Sequence, residues 1–270
     1  EPKSSDAHYE YWMSASSYLS YGGVLKVVRA DDADLKNANA GVGIANTTTL
    51  KIKNYDDYSN NYDTATDFTY AAKNPGSWSN NLKVCYIDDF ADQTLGITTT
   101  NLAGLGATVG MGITAAVTGV LPGAGTTAVF TGYVKGIITG ATNDTGGASK
   151  LDVKIVSRVS SAGVETQIDY AEGNGFASFD TSDSVFFTSD AGGVTAAQTP
   201  TTVVDWYDQQ TLGLTNATIY WSTIAPKPGT SVYVSDRQGK NDQLHIAVVD
   251  DTGDVTGIKG NILEKHIDLS

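Results

Sequence analysis

From residue 93 to residue 134 the chain carries no charged side chain. An uncharged run of that length either crosses a membrane or folds into layers whose surface does without ions. A membrane-spanning helix needs about 20 consecutive apolar residues, whereas this stretch is studded with Gly and Thr and broken by Pro122. Its period is two. Val109, Met111, Ile113, Ala115, Val117 and Leu121 fall on one side, with Gly110, Gly112, Thr114, Ala116 and Thr118 on the other. The pattern predicts a half-buried strand. A partner strand is expected over 128–139, joined through Pro122, Gly123, Ala124 and Gly125 as a hairpin.

The rest of the composition agrees with a polar β protein. Only 17% of residues are charged while hydrophobic content is 40%, so Thr, Ser, Asn and Gly fill the difference. Thirty acidic residues against 17 basic ones give a net charge of -13. With Arg29, Arg158 and Arg237 the only arginines, a phosphate-binding surface for nucleic acid is excluded, as is attraction to an anionic membrane. Cys85 is the single cysteine, which rules out an intrachain disulfide and a cysteine-based zinc site. The chain opens on Glu1 and Pro2 and closes on Leu269 and Ser270, directly after strand-like sequence. It reads as a fragment.

Ahead of the uncharged run, residues 7–20 read as a helix capped by Ser4, Ser5 or Asp6 and ended by Gly22. Trp12, Ala15, Tyr18 and Leu19, with Tyr11 at the margin, form its apolar face. Val24, Leu25, Val27 and Val28 then predict a strand buried on both faces. Residues 31–81 are rich in Asp, Asn, Thr and Tyr and read as irregular, apart from an alternating stretch at 50–53 and a turn at Asn74, Pro75 and Gly76. Further strands are expected at 82–87, 151–159, 164–170, 218–224, 231–235, 244–249 and 262–269. Ser160, Ser161, Ala162 and Gly163 turn the second hairpin, 151–170, and Asp250 to Asp254 supply the turn before the last strand.

Chemistry-bearing residues are sparse. His8, His245 and His266 are the only histidines; the last two fall in alternating strands, where half-buried, hydrogen-bonded positions are expected. Cys85 lies mid-strand among apolar neighbours, where a thiol is inert. Gly123, Gly125 and Ala128 match a dinucleotide-loop spacing, but the β-formers Val129, Phe130 and Thr131 stand where that loop requires a helix. Asp250, Asp251 and Asp254, and separately Asp31, Asp32 and Asp34, gather carboxylates of the kind calcium prefers, without EF-hand spacing. Tyr55, Tyr58, Tyr62 and Tyr70 could line a sugar-binding surface or simply cover a core. Sequons at Asn46, Asn143 and Asn216 are at the level expected by chance in a chain rich in Asn and Thr. On these residues no catalytic, cofactor or metal site is assigned.

Three stretches, in order, carry a family resemblance. They are residues 18–30 (YLSYGGVLKVVRA), residues 72–84 (AKNPGSWSNNLKV), and a C-terminal run through 228–231 (PGTS), 241–254 (NDQLHIAVVDDTGD) and 263–266 (LEKH). Their order and spacing resemble the tail sheath protein of contractile-tailed phages, of the T-even type found in cyanophages. The resemblance covers roughly 7–94 and 200–270. Ser79 stands where that family usually has Gly, which speaks against a positive φ there, and residues 95–199 match nothing in the family and read as an insertion.

The resemblance implies a non-enzymatic structural subunit of the virion, made in the host cytoplasm. Such subunits stack as six-fold rings around a tail tube, answer to a baseplate, and contract to drive the tube through the host envelope, with neither nucleic-acid contact nor membrane insertion. The expected fold is α+β and predominantly β: antiparallel sandwich or barrel-like protruding domains on part of an α/β core. Its domains are 1–37 (helix plus strand of the core), 38–94 with 200–270 (β-rich, protruding) and 95–199 (inserted β domain). A different class, a virion-displayed or secreted β-sandwich adhesin that binds glycans through Tyr55 to Tyr70, fits the same composition.

Overall fold

A computed structural model describes residues 9–26, 35–40, 50–64, 68–120, 129–170, 172–173, 175, 177–188 and 197–270. The chain divides into two compact units, 1–80 and 81–270. The fold is α+β and predominantly β, built on antiparallel sheets.

In the first unit, helix α1 (Tyr9–Ser20) forms where the apolar spacing predicts it and ends at Gly22 in a left-handed turn (φ 83°), the Gly22 N–H donating to Leu19. Its caps Ser4, Ser5 and Asp6 lie outside the described residues. The strand expected at 24–28 does not form over its described part: Val24 is 84% exposed, and 24–26 join no sheet. Val27 and Val28 lie outside the described residues. Strand propensity is insufficient without a neighbouring strand to take the backbone groups.

The two-residue strands β1 (Asn39–Ala40) and β2 (Tyr70–Ala71) pair antiparallel. Buried Asn37 ties three segments together: its Oδ1 accepts the Ile52 N–H (2.7 Å), its amide donates to Ala72 O (2.7 Å), and its own N–H donates to Leu50 O (2.8 Å). Leu50 and Ile52 of the alternating stretch are buried but unstranded. Part of the segment expected to be irregular is a helix, α2 (Tyr55–Asn61). Asn54 caps it by accepting the Asp57 N–H, while the Asp57 carboxylate reaches back to the Lys53 N–H. These local bonds override the loop-like composition.

The second unit holds β3 (Leu82–Asp88), β4 (Gln93–Ile97), β5 (Gly112–Val120), β6 (Val129–Thr142), β7 (Ser149–Ser160), β8 (Glu165–Gln167), β9 (Val185–Phe187), β10 (Thr202–Asp205), the short helix α3 (Val232–Ser235), β11 (Leu244–Asp250) and β12 (Asn261–Leu269). Seven strands form one sheet in the order β10-β4-β7-β6-β5-β9, with β8 beside β7. The other sheet is β12-β11-β3. Both expected strand pairs are present, β5 with β6 and β7 with β8, while the turn expected at Pro122, Gly123, Ala124 and Gly125 lies outside the described residues. Along β5 the inner residues Ile113, Ala115 and Val117 are buried while Ala116 and Thr118 are exposed. This is the alternation read from the uncharged run.

The large sheet is curled yet open. Gln198 bridges to Val185 of β9, and three residues later the Thr201 N–H donates to Gly96 of β4, so one segment spans the gap without closing a barrel. Curvature comes from β6, whose inner face alternates Phe130, Gly132, Val134, Gly136, Ile138 and Gly140. A Cβ on Gly132 would collide with the Val159 carbonyl, and one on Gly136 would lie 2.7 Å from Val153. Register shifts on β6 and β7 fall beside these glycines. Leu95, Ile113, Val134, Ile138, Leu151, Val153, Phe179 and Phe187 fill the concave face. A second core gathers Cys85, Ile87, Trp206, Tyr207, Leu212, Trp221, Ala247 and Val249. The first draws on 95–187 and the second on 85–91 and 206–249.

Two expected strands are corrected. Residues 218–224 form a single bridge from Tyr220 to Thr211 and then a 3-10 turn, Trp221–Thr223, that drops the Trp221 indole into the second core. Residues 231–235 form α3, because Ser231 caps it by accepting the Val234 N–H.

Candidate functional site

The described residues bring together a group that no motif singled out. Asp89 and Asp92 sit in the connection between β3 and β4, Lys154 on β7, and Lys227 in the segment leading to α3. Lys154 Nζ lies 2.5 Å from Asp89 and 3.1 Å from Asp92, and Lys227 Nζ lies 2.7 Å from each. The side chain of Asp92 is 3% exposed and that of Asp89 8%, against 21% and 23% for the lysines. Asp92 also accepts the Ile155 N–H at 2.7 Å, and its own main chain bonds Val153 and Trp206. Two acids and two bases cancel. Burial opposes the Lys227 charge, but the Asp92 and Asp89 carboxylates outweigh it and hold the ammonium above its usual pKa. The cluster therefore joins β3, β4, β7 and the 225–229 segment at the meeting of the two cores.

Beside it opens a cleft of about 340 Å³ lined by Tyr170, Glu172, Asp205, Asp208, Ser222 and Lys227, among others. The Tyr170 hydroxyl donates to Asp205 at 3.0 Å; burial, then the Asp205 charge, push its pKa far above neutrality. Tyr207 donates to the carbonyls of Ala225 (2.8 Å) and Pro226 (3.1 Å), and burial, with Asp208 and Asp268 adding, pushes it up to about 12. Both phenols stay protonated at neutral pH and are committed to fixed acceptors. The cleft offers carboxylates and ring faces; the phenols supply no base.

His245 is fully buried rather than half-buried. Its Nδ1 accepts the Asp268 N–H (3.0 Å), so Nε2 carries the hydrogen and donates to Pro226 O (2.8 Å). Both ring nitrogens are spent on main-chain partners. His266 is exposed, 3.5 Å from Glu264. Cys85 is buried, its Sγ 3.2 Å from Leu212 O; burial raises its pKa, so the thiol stays protonated.

The acidic turn is held by protein donors. Asp250, fully buried, accepts N–H bonds from Gly253, Val255 and Thr256 and the Thr256 hydroxyl. Asp251 takes the Thr215 N–H and hydroxyl, and Asp254 the Thr252 hydroxyl and the Asn81 amide. Among the described residues no three or more His, Cys, Asp or Glu side chains converge as a metal site.

Tyr55 and Tyr58 share the exposed side of α2 with ring centres 6.4 Å apart, whereas the Tyr62 hydroxyl is turned to Lys51 O and Tyr70 belongs to β2. Asn143 spends its carbonyl on the Leu102 N–H, and Asn216 is exposed. His8, Asp31, Asp32, Asp34, Asn46, Gly123, Gly125 and Ala128 lie outside the described residues.

The motif stretches have definite places. Gly76 adopts φ 136°, a conformation that favours glycine, and its N–H donates to Lys36 O across the chain rather than within a local turn. Ser79 stays in right-handed 3-10 geometry, buried, its hydroxyl on Gly76 O, so the substitution for glycine needs no positive φ. In the C-terminal stretch, Asp242 accepts the Ser231 N–H and hydroxyl, and Gln243 accepts the Gly229 N–H, bringing 228–231 against 241–244. No family model, curated protein or solved structure matches the chain.

Proposed function

We propose that the chain is a structural subunit of a contractile phage tail sheath, stacking in six-fold rings around a tail tube within the virion. Beyond the ordered motif stretches, the observation that carries this reading is α1. It presents Tyr11, Trp12, Tyr18 and Leu19, and none of its residues is buried. Each large apolar side chain left in water forgoes about 1.5–3 kcal/mol relative to burial. Contacts within a polymer recover that energy. The separate core of residues 95–187 is consistent with an inserted outer domain.

In this reading the chain performs no covalent chemistry. Contraction draws on differences in subunit contact between extended and contracted states, summed over many copies. The partners are further sheath subunits, the tail tube and the baseplate, with no nucleic acid and no membrane insertion. Negative-stain electron microscopy of the whole reading frame, expressed in bacteria, tests it: long tubes are expected. Monomers that persist across salt and pH overturn it.

The exposed pair Tyr55 and Tyr58 favours one second reading, a glycan-binding adhesin. That reading requires glycan-array binding that disappears in Tyr55→Ala/Tyr58→Ala.

A further inference from the structure

His245 and Asp268 meet where β12 departs from regular pairing. Leu244 stands opposite Leu269 and Ile246 opposite His266, so Ile267 and Asp268 together face His245, two residues against one. Asp268 makes this fit with φ 55°, a left-handed conformation that is costly for a residue with a Cβ. The main-chain N–H of Asp268 thereby reaches His245 Nδ1, while its carboxylate side chain stays 53% exposed with Oδ1 4.0 Å from the same nitrogen.

This arrangement suits only a neutral ring. A second proton on the imidazole goes to Nδ1, because Nε2 already carries one and gives it to Pro226 O. Nδ1 then becomes a donor facing a donor, on a side chain that is 0% exposed. The acceptor an imidazolium needs is the Asp268 carboxylate. The other groups around the ring supply none: the residue opposite on β3 is Ile87, and the Trp221 ring centre is 6.4 Å away. The Tyr207 hydroxyl donates to the same Pro226 carbonyl, Asp208 beside it is exposed, and the Lys227 ammonium is held by Asp89 and Asp92. On β12, Lys265 is exposed opposite Ala247, and His266 lies opposite Ile246 beside Glu264.

We propose that His245 and Asp268 form an acid-operated latch on the end of β12: protonation of the ring exchanges the Asp268 N–H for its carboxylate, and residues 267–269 leave their bulged pairing with β11. The left-handed turn at Asp268, which serves to present the N–H, relaxes in the exchange. The latch is independent of the sheath reading.

NMR on the full 270-residue chain, between about pH 8 and about pH 5, tests it. Imidazole nitrogen signals report protonation of His245, and amide exchange, corrected for its intrinsic pH dependence, reports the bond at Asp268. Both change in one step, with Asp268 protection falling by about tenfold, while the Ala247 amide, on the strand between β3 and β12, keeps its protection. His245→Gln retains a donor and an acceptor but does not titrate, so protection at Asp268 persists throughout. Asp268→Asn keeps the main-chain N–H, changes only a half-exposed side chain and removes the acceptor charge, so the step moves to lower pH; it carries the test alone if His245→Gln does not fold. An Asp268 amide indifferent to pH, a step that survives His245→Gln, a step that Asp268→Asn leaves in place, or loss of Ala247 protection in the same step overturns the proposal.

Discussion

Replacing Asp92 by Ala removes the carboxylate that faces two ammonium groups and one main-chain N–H. Lys154 and Lys227 are left to share Asp89, and the Ile155 N–H loses its 2.7 Å acceptor inside the sheet. Breaking a buried ion pair costs about 3–5 kcal/mol, and an orphaned buried donor about 1–3. The lysine side chains are 21% and 23% exposed, so water recovers part of the loss. The expected destabilisation is about 3 kcal/mol, a fall of roughly 6–12 °C in Tm for a unit of this size. Asp92→Asn retains an oxygen for Ile155 and costs about 2 kcal/mol. Urea unfolding followed by the fluorescence of Trp206 and Trp221, both in the adjoining core, measures each value. High salt should leave the difference largely intact, because buried pairs are weakly screened. A cost under about 1 kcal/mol for Asp92→Ala is what a solvated surface pair gives, and would refute the account of a buried clasp.

Other residues are equally open to test. Burial alone would raise the Asp250 pKa, but the bonds from Thr256, Val255 and Gly253 outweigh it and hold it below 3.8. A depressed carboxylate stabilises the fold above its unfolded pKa, and that contribution starts to fall away below about pH 3.8 and is lost as pH drops through the lower folded value; thermal melts against pH should show a shallower acid slope for Asp250→Asn. Gly132→Ala drives a methyl into the Val159 carbonyl and the Phe130 ring and should cost about 1–3 kcal/mol in urea unfolding. The Cys85 thiol, buried with its pKa raised, should react with a thiol reagent only as fast as the protein unfolds, and Cys85→Ala should leave the native spectrum unchanged.

Helix α1, its stop at Gly22, the β5–β6 and β7–β8 pairs and the strands β11 and β12 follow from periodicity and turn residues, because each rests on interactions between segments close in the chain; β3 is legible from its apolar run, although its partner β11 lies far along the chain. The failures share a cause. Val24 and Leu25 have strand propensity but no adjacent strand, Ser231 becomes a helix cap under Asp242, and Trp221 is drawn from an extended course into the core. Each outcome depends on a residue distant in the chain.

The same division applies to the candidate site. Sequence alone determined an acidic, cysteine-poor β protein whose uncharged run forms strands rather than a long apolar helix, since charge balance and a period of two are local properties. It did not mark Asp89, Asp92, Lys154 and Lys227 as a unit, although Asp92 is the last charge before that run. Their separations of 62 and 135 residues, from Asp92 to Lys154 and to Lys227, are closed only by sheet pairing and the packing of two cores. Tertiary structure also left the middle of the run, 116–120 on β5, with no second strand beside it among the described residues, because β9 pairs only with 113–115.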